Sequence, residues 1–397
     1  DGFLDLYVTN YLDFELNRKV RRSRLSAREG YQFFPGPRDY AAQADVLYHN
    51  NGDGTFTDVT KQAGVFRPEG KGMQPVFADF DDDGDADIYV ANDRTPNFLY
   101  INQGNGRFEE TALTAGVALD ENGNETGAMG VTLGDFDADG LADLLVTNMV
   151  FEYNALYRNA GDGTFRDVTK QAHIAKKTYP FVGWGTGFFD YDNDGDLDIF
   201  FANGHVQDYI NVFSESVTYA QPNLLFANRG DGTFREVSGK SGLYFSARDV
   251  SRGMATGDYD NDGDADIVIS NLNARPVLLR NEAANHNHWL MVDLVGRRSN
   301  RDGIGAKVKV ITGGRVQSRE MRSGSSYLSQ NDRRLHFGLG GQRKVDAIEV
   351  RWPGGKTETF KNLGSDRLFV VTEGEGLHPT PAAGSTTLNG KLEGPLG

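Results

Sequence analysis

Short runs that alternate apolar and polar residues recur along residues 1–285, and they predict β-strands rather than helices. In one unit, residues 130–134 and 144–148 are strand-like runs on either side of an Asp-rich loop. Two more runs follow at residues 155–159 and 164–169, and the glycines of Gly161-Asp162-Gly163 supply the positive-φ positions of a tight hairpin between them. Each unit is therefore predicted to hold four antiparallel strands.

The unit recurs along the chain, because the same hairpin signal appears at residues 50–56, 102–108 and 228–234. Four strands per repeat are typical of a β-propeller blade. A parallel β-helix would need much shorter turns, and a βαβ array would need amphipathic helices, which the sequence does not show between the strands. We therefore predict an all-β protein in which residues 1–285 form a β-propeller.

An Asp-rich motif, D-x-D-x-D-G-x-x-D, occurs in four of the units, and its copies begin 56, 55 and 68 residues apart. The longer last interval reflects an insertion after Asn203. Calcium takes six to eight oxygen ligands, and carboxylates at positions 1, 3, 5 and 9, with the backbone carbonyl of position 7, can wrap one ion. Glycine at position 6 allows the sharp turn that such a loop requires.

The motif thus predicts four complete calcium sites and part of a fifth. Asp1 and Asp5 match the second half of the motif and form the partial site. The complete sites are predicted to use Asp79, Asp81, Asp83, Asp85 and Asp87; Asp135, Asp137, Asp139, Leu141 and Asp143; Asp190, Asp192, Asp194, Asp196 and Asp198; and Asp258, Asp260, Asp262, Asp264 and Asp266.

A single acidic motif is also compatible with a solvated turn that holds no metal, but four copies weaken that interpretation. Clustered aspartates would repel one another strongly without a cation. Magnesium is the weaker candidate, because it prefers a compact octahedron with retained water.

Composition narrows the classes of partner. Lysine and arginine total 41 against 56 aspartates and glutamates, and the net charge of −15 argues against nucleic acid. The four Asp-rich windows hold 20 aspartates, so the acidity is local. Cysteine is absent, which excludes disulfides and thiolate metal sites, and no apolar run approaches the roughly 20 residues of a membrane helix.

The strand pattern continues beyond residue 286, but the Asp-rich motif stops. A small β-sandwich over residues 286–375 is the predicted fold. Residues 376–397 are rich in Gly, Pro, Thr and Ser, and they are predicted to form an extended tail that docking alone would order. The sandwich is predicted to contain seven strands, at residues 289–295, 306–311, 316–322, 334–337, 347–352, 357–360 and 368–372.

Distinctive stretches lie at residues 183–190 (GWGTGFFD), 203–206 (NGHV), 299–306 (SNRDGIGA), 336–340 (HFGLG) and 350–355 (VRWPGG). Through them the chain resembles the FG-GAP/VCBS propellers of the cartilage acidic protein type, which end in an ASPIC and UnbV domain. The resemblance implies a propeller with seven blades, secreted or at the cell surface, with calcium in its blade loops. About five blades are visible in this sequence, and the resemblance implies two more before residue 1.

Two insertions are candidate contact surfaces for a protein or a glycan, namely residues 11–45 and 204–222. The first contains a basic run, Arg18 to Arg24, which is either a solvated loop or a site for an anionic partner. The tail at residues 376–397 is a candidate for self-association.

The seven histidines fall in no recognised catalytic spacing. His205 is a candidate to line a pocket with Asp208 and Tyr219, but a structural or partner-binding role for it is favoured. No nucleophile elbow, phosphate loop or zinc-protease helix is present. Two functions remain: a non-catalytic extracellular scaffold that binds protein, glycan or itself, and a carbohydrate-active lyase, dehydratase or hydrolase that uses a propeller face. A cluster of His, Tyr and an acid on one face, away from the Asp-rich loops, would favour the enzyme.

Overall fold

A computed structural model describes residues 2–14, 34–282 and 285–380. Five antiparallel sheets occupy the first part of the chain, up to Leu279. The first and the fifth have three strands and the others have four. The predicted all-β, propeller-like repeat of four-stranded units is confirmed.

In each sheet the strands follow one another in chain order. The strands are β1 Leu6–Val8, β2 Val46–Asn50 and β3 Phe56–Asp58; β4 Gly72–Ala78, β5 Asp87–Asn92, β6 Phe98–Asn102 and β7 Phe108–Glu110; β8 Val131–Gly134, β9 Asp143–Val146, β10 Ala155–Asn159 and β11 Phe165–Asp167; β12 Gly183–Phe189, β13 Asp198–Asn203, β14 Leu224–Asn228 and β15 Phe234–Glu236; β16 Ser251–Gly257, β17 Asp266–Asn271 and β18 Val277–Leu279.

Apolar layers between neighbouring sheets form the core of this region. Tyr89 and Leu99 of the second sheet pack with Leu144 and Tyr157 of the third. Leu145 of the third sheet in turn belongs to a cluster built largely from the fourth sheet. Because these sheets are covered on both faces, their central strands are nearly continuous apolar runs, and β5 and β13 are buried along their whole lengths.

In the part of the chain that the structure describes, helices are few and short, and they lie in the connections. The α-helices are α1 Ala112–Ala115, α2 Ala175–Thr178 and α3 Ile210–Phe213, and the 3-10 turns are Pro37–Asp39, Ser238–Lys240 and Leu243–Ser246. Among the described residues, no helix has the length and hydrophobicity needed to cross a membrane.

The C-terminal domain consists of two four-stranded sheets that enclose a core containing Phe337, Ile348 and Trp352. All seven predicted strands are present, with ends that differ by a few residues. An eighth strand occupies the start of the predicted tail, because Leu377 packs against the core and pairs with Val371. The strands are β19 His288–Val295, β20 Lys307–Thr312, β21 Arg315–Glu320, β22 Leu335–Gly340, β23 Lys344–Arg351, β24 Thr357–Gly364, β25 Arg367–Thr372 and β26 Gly376–Pro379.

A hairpin of the C-terminal domain, residues 323–332, runs along the first strands of the propeller-like sheets, and we call it the channel hairpin. Ser325 pairs with Ser329 within it. Its backbone exchanges two hydrogen bonds between Ser326 and Val131 of β8, at 2.9 and 3.0 Å. Gly253 of β16 makes room for it, because a Cβ there would lie 2.6 Å from the Ser329 hydroxyl. The two parts of the chain are therefore interlocked.

Candidate metal centres

The four Asp-rich loops occupy equivalent places, since each joins the first strand of its sheet to the second. Their backbones also agree. Position 4 is left-handed in every loop, with φ between 58° and 61° at Asp82, Ala138, Asn193 and Asn261. Position 6 is a glycine with φ between 92° and 101°, in the left-handed region that glycine adopts without strain. One local fold therefore serves all four loops.

Each loop gathers three carboxylates whose oxygens lie within 4.8 Å of one another. The first two loops bring together positions 1, 3 and 9, and the last two bring together positions 1, 3 and 5. The groups are Asp79, Asp81 and Asp87; Asp135, Asp137 and Asp143; Asp190, Asp192 and Asp194; and Asp258, Asp260 and Asp262.

Each loop also contains a buried carboxylate oxygen that no described residue hydrogen-bonds. A buried acceptor without a partner costs roughly 1–3 kcal/mol, so such atoms are rare in folded proteins. A cation bound among the carboxylates would provide the missing partner. The atoms are Oδ1 of Asp79 and Asp81, of Asp135 and Asp137, of Asp192 and of Asp260.

Burial disfavours the charged form of these carboxyl groups. It raises the pKa of Asp87 to about 7 and that of Asp143 to about 8, and the other aspartates in each loop add to the effect. In the third loop, burial and the charge of Asp194 raise the pKa of Asp190 to about 7. The loops therefore favour either protons or a metal cation.

The position 9 aspartates have a second role, because they hold each sheet together. Asp143 Oδ2 accepts a hydrogen bond from the amide of Phe136, at 3.1 Å, and its Oδ1 accepts one from the amide of Asn159, at 2.9 Å. The same pair of bonds recurs at the other three loops, joining Asp87 to Phe80 and Asn102, Asp198 to Tyr191 and Asn228, and Asp266 to Tyr259 and Asn281.

Three of the four asparagines in these bonds also connect neighbouring sheets. The Asn159 side chain donates to the carbonyl of Phe80 in the preceding loop, at 3.0 Å. Asn228 and Asn281 make the equivalent bonds to Phe136 and Tyr191, at 2.9 and 2.6 Å. Sequence reasoning missed these residues, although an asparagine at the end of the third strand in each unit was a usable signal.

The partial fifth copy follows the same scheme. Asp5 Oδ1 accepts the amide of Asn50 at 2.8 Å, and Asn50 Nδ2 donates to the Leu4 carbonyl at 3.0 Å. Asp5 therefore occupies position 9 of the repeat. Asp1 lies outside the described residues.

The backbone amide of position 7 is hydrogen-bonded to the side chain of position 5. Its amide donates to the position 5 carboxylate, as from Asp85 to Asp83 at 2.8 Å and from Leu141 to Asp139 at 3.0 Å. The later loops make the same bond, from Asp196 to Asp194 and from Asp264 to Asp262. Position 7 is aspartate in three loops and leucine in the second, so its carbonyl is the ligand that all four loops can offer.

Comparison with known families agrees with this geometry. A family model described as FG-GAP-like repeat matches residues 36–90, 79–146, 135–201 and 208–269, and a second, described as ASPIC and UnbV, matches residues 296–378. The chain belongs to the FG-GAP repeat family. The resemblance inferred from the sequence is thereby confirmed.

Individual relatives point the same way. The chain is 30% identical to mouse cartilage acidic protein 1 and 29% identical to the human protein, in each case over 80% of its own length. It spans about half the length of these relatives, 47% and 46%. A solved structure of a rhamnogalacturonan lyase from Bacillus licheniformis aligns with 90% of this chain over 64% of the lyase chain, at 14% sequence identity. The TM-score of 0.35 is too low to support an argument.

The ASPIC and UnbV domain covers the face of the FG-GAP repeats that carries the Asp-rich loops. Position 1 of each loop, at Asp79, Asp135, Asp190 and Asp258, lines one cavity of about 180 Å³ between the two regions. Basic side chains of the domain reach the loops: Lys307 pairs with Asp79 at 2.8 Å, Arg315 pairs with Asp196, and Arg334 donates to the Asp258 carbonyl at 2.5 Å. Sequence reasoning did not anticipate this cover.

His205 lies on the opposite face of the FG-GAP repeats, where it lines a cavity of about 770 Å³. Its neighbours in the lining include Tyr11, Asp93 and Tyr327, but not the predicted Asp208 and Tyr219. The backbone amide of His205 donates to the carbonyl of Tyr219, at 2.9 Å. In the first insertion, the Arg18 to Arg24 run lies outside the described residues.

Proposed function

We propose that this FG-GAP chain is a calcium-stabilised, non-catalytic extracellular scaffold that binds protein, glycan or other copies of itself. The observation that carries the proposal is that each of four equivalent loops has a buried carboxylate oxygen with no hydrogen-bond partner among the described residues. The side-chain ligands predicted in these loops are all carboxylate oxygens, the ligand type that calcium prefers.

Carboxylates at positions 1, 3 and 5, with the position 7 carbonyl, would hold the ion, and the position 9 carboxylate would close the site. A bound ion supplies charge neutralisation and fixes the connection between the first two strands. It would favour the folded chain, because the ligands of one loop are gathered only when the sheet forms. A site of this kind stabilises the fold, and we propose no catalytic role for the loops.

The extracellular setting is proposed by kinship with the cartilage acidic proteins, and the contact surfaces remain those predicted from the sequence. Residues 204–222 contain the helix α3 and expose Tyr209 and Val212. Exposed apolar side chains on an insertion suit a protein or glycan contact. Residues 376–379 are paired within the ASPIC and UnbV domain, so self-association would have to use residues 381–397, which lie outside the described residues.

Metal analysis tests the calcium proposal. Protein stripped with a chelator and dialysed against calcium is expected to retain close to four ions per chain, one for each cluster. Asp83→Ala removes a position 5 carboxylate and is expected to cost one ion. Asp53→Ala, in an exposed hairpin, is the matched control and is expected to cost none. Retention of no calcium by the unaltered chain contradicts the proposal.

A carbohydrate-active enzyme remains the second candidate, and the cavity beside His205 favours it. That cavity brings together a histidine, tyrosines and an acid on the face away from the Asp-rich loops. Burial raises the pKa of Asp93, as a general acid requires. Turnover of a polysaccharide that persists in chelator and disappears in Asp93→Asn would establish the enzyme and exclude the non-catalytic scaffold.

A further inference from the structure

The central pocket, as we call the cavity of about 770 Å³, is built where the sheets converge opposite the Asp-rich loops. The start of β4 contributes Met73, and the start of β12 contributes Trp184. The segment after β5 contributes Asp93, the segment after β13 contributes His205, and the tip of the channel hairpin contributes Tyr327. A cavity of this size accommodates a ligand of two or three rings.

Aromatic rings form one side of the pocket and are held rigidly. The Trp184 indole donates to the Gly204 carbonyl at 2.7 Å. The Arg252 guanidinium lies 4.2 Å from the centre of the Trp184 ring. Tyr327 meets the same indole edge to face, with ring centroids 4.8 Å apart. Fixed aromatic surfaces offer apolar contact at low entropic cost.

Two buried polar groups in the pocket walls can each make one more hydrogen bond. Asp93 is 8% exposed, and its Oδ2 accepts a hydrogen bond from Tyr11 at 2.6 Å. Its Oδ1 is buried and has no hydrogen-bond partner among the described residues. His205 is 3% exposed, and its Nδ1 accepts the amide of Gln207 at 3.0 Å, so a neutral ring carries its proton on Nε2. No described residue accepts a hydrogen bond from Nε2.

The charged groups around the pocket are of both signs. Arg94 lines the pocket and pairs with Glu152, and Arg38 lies in the lining and pairs with Glu125 at 4.0 Å. A cationic ligand would meet these guanidinium groups, and an anionic ligand would meet the Asp93 carboxylate. An uncharged ligand avoids repulsion by either set of charges. If it is rich in hydroxyl groups, it can also use the polar atoms of the pocket, because each hydroxyl can both donate and accept a hydrogen bond.

We propose that the central pocket binds an uncharged sugar ring of a glycan. One hydroxyl would donate to Asp93 Oδ1 and another would accept from His205 Nε2, while the C–H face of the ring packs on Tyr327, beside Trp184. Since Tyr327 belongs to the ASPIC and UnbV domain, the site is complete only when that domain is docked. This inference rests on the glycan-binding part of the proposed function and narrows it to one place.

Saturation-transfer NMR and calorimetry on the full, calcium-loaded chain test the proposal. The probes are neutral oligosaccharides of two to six rings from cellulose, xylan, chitin and starch, with choline and digalacturonate as charged comparisons. At least one neutral series is expected to bind. Absence of binding by every neutral series, or preference for a charged probe, overturns the inference.

Variants locate the binding. Asp93→Asn and His205→Gln are each expected to weaken binding at least tenfold while the melting temperature stays near that of the unaltered chain. His173→Gln, at an exposed histidine with no side-chain partner among the described residues, is the control and is expected to change nothing. Binding that both pocket variants leave unchanged overturns the inference. Calcium retention is measured separately, so failure of the pocket and failure of the calcium scaffold are distinguishable.

Discussion

Lys307 Nζ lies 2.8 Å from Asp79 Oδ2, and this ion pair joins the ASPIC and UnbV domain to the first Asp-rich loop. The other oxygen of the same carboxylate, Oδ1, is buried without a hydrogen-bond partner among the described residues. One side chain can therefore face a basic residue of the covering domain and a metal ion at the same time. The loops are thus both metal centres and contacts between the two regions.

Lys307→Met tests this double role. The variant is expected to destabilise the calcium-free chain more than the calcium-loaded chain, because only the ion can then compensate the Asp79 charge. Loss of one partner of a largely buried pair costs a few kcal/mol, roughly 3–5 at most. Chemical denaturation with and without calcium measures the difference. Lys356→Met removes an exposed pair with Glu358 and is the control; equal losses in both calcium states would contradict the expectation.

Calcium removal is expected to lower stability cooperatively. An ion present at a hundredfold excess over its dissociation constant stabilises a folded site by about 2.7 kcal/mol. Asp194→Ala should abolish that gain in the third loop alone. Thermal melting in calcium and in chelator measures it, with Asp231→Ala in an exposed hairpin of the same sheet as control. An unchanged melting temperature in excess chelator would show that the loops do not stabilise the fold.

Asn159→Ala is expected to destabilise the chain even in saturating calcium. The substitution leaves the carbonyls of Phe80 and Ala142 without the side-chain donor that now serves them, at 3.0 and 3.2 Å. The expected loss is about 1–3 kcal/mol. Asn105→Ala, in an exposed hairpin, is the control. A loss no larger than that of the control would show that bonds between sheets contribute little.

The sequence predicted the repeat, the loops and the strands of both regions because each depends on local spacing. Glycine at position 6 and aspartates at alternate positions are visible within nine residues. The channel hairpin is different: the pairing of Ser326 with Val131 joins segments almost 200 residues apart, and no periodicity marks it. In the sequence, Lys307 looks like any other strand residue. Its contact with Asp79 can therefore be seen only in the folded structure, where the two regions meet. Asp93 and His205 likewise come together only when the sheets converge.

The pH dependence of calcium binding follows from the raised pKa values of Asp87, Asp143 and Asp190, which are about 7, 8 and 7. Folding raises them above the usual value of about 4, so their contribution to calcium-free stability is full below about pH 4 and is lost progressively as the pH rises from there to 7–8. Calcium must displace these protons. Calorimetry at pH 7 in buffers of different ionisation enthalpy should detect proton release, and calcium affinity should increase up to about pH 8. Identical heats in all buffers would contradict this account.

A crystal structure of the calcium-loaded chain, with anomalous scattering recorded at long wavelength, would locate the bound ions themselves. We expect an anomalous peak in each loop that begins at Asp79, Asp135, Asp190 and Asp258, surrounded by six to eight oxygens at about 2.3–2.6 Å. Peaks within strict octahedra at about 2.0–2.1 Å would indicate magnesium or another small cation instead. Loops without any peak in saturating calcium would contradict the account.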